Sequence, residues 1–208
     1  MSRITLTAFL VFSFIALMIF VKESRVDLSK NILKKDAVIL AFGDSLTYGF
    51  GASSDFSYPV RLELRSGVKV INAGVNGELS SEGLRRLPKY LKQKPDLVIL
   101  CHGGNDILQK LPHEQLKKNL QEMVRLIKRS GAKVLLVAVP DFHIFGFKTL
   151  SLYEEVADEA GILLEDEVLT HIELHRDLKS DYVHPNDRGY DMMAEAFMKI
   201  LKKNQFIP

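Results

Sequence analysis

Short apolar runs alternate with amphipathic segments along most of this chain. Four runs combine apolar and β-branched residues without a polar alternation, which is typical of strands buried on both faces of a parallel sheet; they cover residues 37–42, 68–73, 96–101 and 133–139. Helix-like segments follow them at residues 59–65, 80–92, 113–130, 152–160 and about 187–203. This alternation predicts an α/β fold, a three-layer α/β/α sandwich around a parallel sheet.

The N-terminal segment departs from this pattern. Residues 4–21 contain no charged side chain, and as a helix they would extend roughly 27 Å, enough to cross a bilayer core. No small-residue cleavage site follows, so we interpret the segment as an uncleaved signal anchor, with a removed signal peptide as the alternative. The chain is therefore predicted to have an N-terminal hydrophobic helix at 1–22, a linker at 23–36 and one domain at 37–208. The domain is expected on the periplasmic or extracytoplasmic side of the membrane, or secreted if the signal is cleaved.

Composition excludes several classes of protein. The 208 residues carry 28 Lys and Arg against 26 Asp and Glu, and the net charge of +2 gives no reason to expect a nucleic-acid partner. Cys101 is the one cysteine, so an intramolecular disulfide and a Cys-based metal site are excluded, and a small buried hydrophobe is expected. His171 and His175 have a spacing that suits a metal on one helical face, but no third ligand is obvious, and a solvated face is the preferred interpretation.

Polar residues appear where each predicted strand ends. The sequences GDS, GVNGE and HGGND follow the first three strands, and DYVHPN precedes the last helix. The carboxyl ends of parallel strands lie at one edge of a sheet, where reactive groups collect. These four blocks are therefore predicted to meet at a single site.

The residue types in these blocks are those of acyl transfer. Ser45 could be a nucleophile, a phosphate ligand or a helix cap, and its surroundings do not match the G-x-S-x-G pattern. A serine nucleophile needs a base and an orienting acid, and His184 and Asp181, three residues apart, fit these roles. The oxyanion would be held by the backbone N–H groups of Ser45 and Gly74 and by the side-chain amide of Asn105.

Neighbouring residues are expected to support this site. Asp44 is predicted to brace the turn by local hydrogen bonds, and Asp106 to act as a capping residue beside the site. Gly103 and Gly104 would give the loop the freedom to aim the amide of Asn105 inward.

Taken together, the four blocks resemble the SGNH, or GDSL, hydrolases, in particular the branch of small bacterial arylesterases that includes thioesterase I/lysophospholipase L1. The matching residues are Gly43-Asp44-Ser45-Leu46, Gly74, Gly103-Gly104-Asn105-Asp106 and Asp181-Tyr182-Val183-His184-Pro185. The resemblance implies a flavodoxin-like sheet of about five parallel strands and the Ser45, Asp181, His184 triad. It also implies that Gly74 and Asn105 are oxyanion donors and that no metal or other cofactor takes part.

These observations predict a monomeric serine hydrolase that cleaves carboxylic esters, thioesters or lysophospholipids through an acyl-enzyme. The alternative is a non-catalytic module that binds an anion or a carbohydrate through the same loops.

Two features leave the substrate open. His102 stands where the family more usually has an apolar residue, and it either tunes the pocket or fills space. Phe142, Phe145 and Phe147 either line an acyl groove or pack under their loop.

Overall fold

The computed structural model describes residue 33 and residues 36–141 and 149–207. The predicted N-terminal segment and nearly all of the linker lie outside the described residues, and so do the three phenylalanines of the loop at 142–148. In the part of the chain that the structure describes, no helix has both the length and the apolar composition needed to cross a membrane. The domain boundary at residue 37 stays a prediction.

A five-stranded parallel sheet forms the centre of the fold. Its strands are β1 (Val38–Gly43), β2 (Lys69–Gly74), β3 (Leu97–Cys101), β4 (Lys133–Val137) and β5 (Leu163–Glu165). The strands lie in the order β2-β1-β3-β4-β5, and every neighbouring pair is parallel. This is the flavodoxin-like order, which confirms the predicted sheet.

Helices cover the sheet in two groups, as the three-layer prediction requires. They are α1 (Ser45–Tyr48), α2 (Tyr58–Ser66), α3 (Ser80–Leu91), α4 (Gly104–Leu108), α5 (His113–Arg129), α6 (Ser151–Ala160), α7 (Val168–Leu174) and α8 (Asp187–Lys203). Helix α2 packs against α8, whereas α3 packs against α5 and α5 against α6. A short 3₁₀ helix (Arg176–Leu178) precedes the loop that leads into α8.

The central strands of the sheet are more buried than the edge strand β2. All residues of β3 are buried, as are all but the first residue of β1 and of β4. Strand β2 is less buried because it lies at the edge of the sheet: Lys69 and Asn72 are exposed, and Ala73 is the one buried residue of the strand. The expectation that all four predicted strands are buried on both faces is therefore wrong for β2.

Gly43 ends β1 at a point where the backbone is closely packed. A Cβ there would lie 1.9 Å from the carbonyl oxygen of Cys101 and 2.3 Å from Oγ1 of Thr47. The carbonyl belongs to the neighbouring strand and has little freedom to retreat. Glycine is thus required immediately before the Asp44-Ser45 turn.

We expect Gly43→Ala to lower the free energy of unfolding by about 3 kcal/mol, because the added methyl group forces β1 and β3 apart. Urea unfolding followed by circular dichroism measures this loss. Gly131→Ala is the control, since a Cβ there meets open space and the cost of its φ of +90° is about 1–2 kcal/mol. A loss for Gly43→Ala no larger than that of the control would contradict the close approach.

Candidate active site

Ser45 lies where β1 gives way to α1 at the carboxyl edge of the sheet. Asp44 caps this helix, with its Oδ1 accepting a hydrogen bond of 3.0 Å from the amide of Leu46. As the first residue of α1, Ser45 has an amide with no partner inside the helix. The turn therefore presents a hydroxyl and a free N–H from the same residue.

The structure brings Ser45, His184 and Asp181 into one hydrogen-bonded chain. His184 Nε2 lies 3.0 Å from Ser45 Oγ, although 139 positions separate the two residues in the sequence. His184 Nδ1 lies 2.8 Å from Asp181 Oδ2. Both distances are within the range expected of a nucleophile, a base and an orienting acid.

Asp181 uses its two carboxylate oxygens for different partners. Oδ1 accepts hydrogen bonds from the amides of Val183, at 2.9 Å, and His184, at 2.8 Å, whereas Oδ2 faces the imidazole. Burial alone would raise the pKa of Asp181, but these hydrogen bonds and the nearby imidazole outweigh it and hold the pKa below its usual value. A charged acceptor at Nδ1 places a proton there and leaves the lone pair of Nε2 facing Ser45.

Three contacts fix the loop that carries Asp181 and His184. Lys179 Nζ lies 2.8 Å from Glu173 Oε2, in an ion pair whose side chains are nearly buried, and also donates to the carbonyl of Tyr182 at 3.0 Å. Arg176 donates to the carbonyl of Asp181 at 2.9 Å. Because these bonds hold backbone carbonyls, they set the path of the loop.

Asn105 lies at the same edge, in the first turn of α4. It lines a cavity of about 20 Å³ together with Ser45 and His184. Its Nδ2 donates one hydrogen bond, of 3.0 Å, to the carbonyl of Glu78. A primary amide has two N–H donors, so one remains for a ligand in the cavity.

The structure does not leave the amide of Gly74 free. This amide donates to Asn72 Oδ1 at 2.9 Å, and Asn72 Nδ2 donates to the carbonyl of Tyr48 at 3.3 Å. The next amide, that of Val75, donates to the carbonyl of Gly43 in β1. Alternate amides of a strand point to opposite sides, so the Gly74 amide points to the outer edge of β2. The prediction that it is an oxyanion donor is therefore corrected.

Gly74 serves close packing instead. A Cβ at this position would lie 2.0 Å from the backbone nitrogen of Tyr48, so a side chain here would collide with α1.

The second glycine of the GVNGE block, unlike Gly74, is exposed and has an amide that can donate to a ligand. Gly77 is exposed, has a φ of +75°, and a Cβ there would meet open space. Its amide has no hydrogen-bond partner among the described residues. The next residue, Glu78, is the one whose carbonyl binds Asn105. The sequence signal for this position is the second glycine of the block, three residues after Gly74.

The predicted supporting residues take structural positions around the site. Asp106 is buried and accepts hydrogen bonds from the amide and the hydroxyl of Ser80, at 2.8 Å and 2.5 Å, so it caps α3. Asp44 is also buried, and burial raises its pKa, although the nearby imidazoles of His102 and His184 and the amides of Leu46 and Gly104 act in the opposite direction. Asp106 therefore supports the adjoining loop, whereas Asp44 both caps α1 and lines the cavity beside Ser45.

The remaining candidates lie apart from this site. The rings of His171 and His175 stack with their centroids 4.1 Å apart, and both residues are exposed. Among the described residues, no group of three or more His, Cys, Asp or Glu side chains is arranged to hold a metal ion. Cys101 is a buried free thiol in β3, as predicted.

Comparison with known proteins gives one consistent family. The model of the GDSL-like lipase/acylhydrolase family matches residues 41–192. An arylesterase of Vibrio mimicus is 31% identical, with 80% of this chain and 88% of that protein aligned. The thioesterase 1/protease 1/lysophospholipase L1 of Escherichia coli is 28% identical, with 79% of this chain and 83% of that protein aligned.

Solved structures agree with these relatives. The crystal structure of TesA superposes with a TM-score of 0.73 at 27% identity, covering 80% of this chain and 99% of that one. AlinE4, an SGNH-hydrolase family esterase, superposes with a TM-score of 0.63 at 31% identity, covering 82% of this chain and 97% of that one. These similarities favour ester hydrolysis over the alternative of a binding module.

Proposed function

The chain belongs to the GDSL-like lipase/acylhydrolase family and is an ester-cleaving serine hydrolase, and from this premise we propose that Ser45, His184 and Asp181 are its catalytic triad. The observation that carries the proposal is the 3.0 Å separation of Ser45 Oγ and His184 Nε2. A serine hydroxyl is a poor nucleophile unless a base of this kind can take its proton.

The reaction proceeds in two halves. Ser45 Oγ attacks the acyl carbon while His184 Nε2 takes the hydroxyl proton, and the resulting imidazolium is stabilised by the Asp181 carboxylate. His184 then returns the proton to the leaving alcohol or thiol as the acyl–heteroatom bond breaks, which leaves an ester on Ser45. In the second half a water molecule gives a proton to His184 and attacks this ester, and His184 protonates Ser45 as the acid departs.

Three donors are proposed for the oxyanion of the tetrahedral intermediate. The backbone amide of Ser45 has no hydrogen-bond partner within the part of the chain that the structure describes, and Asn105 has a second N–H beside the cavity. The unpartnered amide of Gly77, one residue from the carbonyl that binds Asn105, is the third. Such donors stabilise charge as it develops on the carbonyl oxygen.

A fluorophosphonate probe tests the nucleophile directly. The probe forms a covalent phosphonate with an activated serine, so we expect one adduct, located on Ser45 by peptide mass spectrometry. Heat-denatured protein and the His184→Ala variant are the controls, and both should remain unlabelled. Folded protein that acquires no adduct at Ser45 would remove this residue from the mechanism.

Activity should depend on pH through the general base. We expect kcat/KM for a p-nitrophenyl ester to rise between about pH 5 and 8, because a protonated imidazole cannot accept the proton of Ser45. The lowered pKa of Asp181 keeps its carboxylate charged across this range, so protonation of Asp181 does not contribute to the profile. A flat profile in protein that remains folded at each pH would argue against His184 as the base.

Esters, thioesters and lysophospholipids are the proposed substrate class. The cavity beside Ser45 is about 20 Å³, and we propose that a longer acyl chain lies on the surrounding surface. Tyr48, Phe50, Leu108 and Tyr182 expose large apolar side chains from the loops and short helices at this edge. A hydrolysis panel over acyl-chain length, with matched esters and thioesters, tests this: specificity confined to acetyl groups would exclude the longer acyl substrates.

We further propose that residues 4–21 hold the domain at the outer face of a membrane. Support comes from the absence of charged residues in this segment. Membrane fractionation of the full chain, compared with a chain that starts at residue 23, tests it. Equal recovery of both chains in the soluble fraction would exclude an anchor.

A further inference from the structure

We propose that His102 is a positioning residue that joins the two loops carrying the oxyanion donors. One loop connects β2 to α3 and contains Gly77 and Glu78, and the other connects β3 to α4 and leads to Asn105. The inference rests on the proposed function, because it assigns His102 a role through Asn105.

The imidazole of His102 makes one hydrogen bond to each loop. The amide of Gly103 donates to Nδ1 at 3.1 Å, and Nε2 lies 3.0 Å from Glu78 Oε2. Since Nδ1 accepts a hydrogen bond, the ring proton lies on Nε2 and is donated to the carboxylate. The ring is fully buried, so both bonds are made without competition from water.

The Glu78 carboxylate, which accepts the bond from His102, is held in place by Arg86. Arg86 binds both of its oxygens and also donates to the carbonyls of Gly43, at 2.9 Å, and Ala73, at 2.8 Å. The guanidinium lies 4.0 Å from the centre of the Phe42 ring. Burial alone would raise the pKa of Glu78, but the hydrogen bonds from His102 and Arg86 outweigh it and lower the pKa.

The same residue, Glu78, reaches the active site through its backbone. Its carbonyl accepts the 3.0 Å hydrogen bond from Asn105 Nδ2, which sets the direction of the remaining N–H. His102 therefore acts at both ends of this contact. It holds the side chain of Glu78 on one side, and on the other it holds the amide of Gly103, two residues before Asn105.

Gly83 in helix α3 leaves room for the imidazole ring of His102. A Cβ on Gly83 would lie 2.3 Å from His102 Nε2 and 2.8 Å from its Cδ2. Glycine inside a helix costs about 1 kcal/mol relative to alanine. The space that the imidazole needs offers a physical reason for this glycine, and it provides a way to displace the ring without altering it.

The main test is His102→Leu, which introduces an apolar side chain of similar size and removes both hydrogen bonds. We expect kcat for a p-nitrophenyl ester to fall about 10- to 100-fold, because a small misplacement of a catalytic group is costly, while KM changes less than about 2-fold. Asn105→Ala provides the reference, with an expected loss of about 10²–10³ for one oxyanion donor.

A double-mutant cycle separates positioning from general stability. If His102 acts through Asn105, adding His102→Leu to Asn105→Ala lowers kcat by less than about 3-fold further. His102→Asn keeps an acceptor for the Gly103 amide and His102→Gln keeps a donor for Glu78, so each should recover part of kcat. Leu136→Ala, a fully buried truncation in β4, is the stability control and should leave kcat unchanged.

Two results overturn the inference. One is an unchanged kcat in folded His102→Leu. The other is a double variant whose fold-loss in kcat equals the product of the two single losses. Should His102→Leu fail to fold, Gly83→Ala takes its place, and an unchanged kcat in that folded variant has the same meaning. If Asn105→Ala itself retains full activity, the donor assignment fails instead, which is a failure of the proposed function.

Discussion

The Ser45→Ala variant is expected to lose ester hydrolysis by about 10⁴-fold or more in kcat, because removal of a serine nucleophile leaves only binding and oxyanion stabilisation. The fold should survive. The Ser45 hydroxyl contacts His184 and no other side chain among the described residues, and Asp44 still caps α1. Steady-state hydrolysis of p-nitrophenyl acetate, with circular dichroism and thermal unfolding, measures both quantities.

Ser54→Ala is the matched control, because this exposed serine lies in the loop after α1 and, among the described residues, its hydroxyl bonds only to the adjacent Asp55. Its turnover should equal that of the unmodified protein. Turnover in folded Ser45→Ala within 10-fold of the control would show that another group attacks the ester.

The second large effect is expected for Asp181→Asn, with kcat reduced about 10³- to 10⁴-fold. The asparagine Oδ1 can still accept from the amides of Val183 and His184, so the loop keeps its path. Its NH₂ group then faces Nδ1 of the imidazole and makes that nitrogen an acceptor. The ring proton moves to Nε2, where it points at Ser45 and prevents the base from accepting a proton.

Because the loop is retained, this variant separates the chemical role of the carboxylate from its structural one. The control is Asp177→Asn, an exposed acid in the adjacent 3₁₀ helix that pairs with Arg188. Its activity should be unchanged. Unimpaired hydrolysis by Asp181→Asn would mean that the tautomer of His184 is set by another group.

The long elements of the fold could be predicted from the sequence, and the short ones could not. Helix α8 runs over Asp187–Lys203, as predicted, because its apolar spacing persists over several turns. Strand β5 has three residues and helix α7 has seven. Segments this short contain too few positions for a period of two or of 3.6 residues to emerge.

The contrast between Gly74 and Gly77 shows that a sequence motif does not determine the direction in which a backbone amide points. The sequence identifies two glycines near the end of one strand, but the direction of each amide depends on the pairing register of that strand. Once β2 pairs with β1, Val75 donates to Gly43, and the amide of Gly74 is turned outward. A one-residue difference in position reverses the direction of a donor.

His102 illustrates a different limit. The sequence marked it as a departure from the family pattern but did not identify its partners, because Glu78 is 24 positions away. Glu78 and Arg86 read in the sequence as ordinary charged residues of a loop and a helix. The contact of Glu78 with the ring, and of Arg86 with Glu78, forms only when β1, β2 and β3 lie side by side.

The proposed base and its orienting acid occupy one short loop, whereas Ser45 comes from the turn after β1. A displacement of that loop carries the imidazole and the carboxylate together, so it lengthens the 3.0 Å contact with Ser45 and preserves the 2.8 Å contact with Asp181. Activity is therefore expected to depend on the position of this loop as a whole. The Lys179–Glu173 ion pair and the bond from Lys179 to the carbonyl of Tyr182 hold the loop in place.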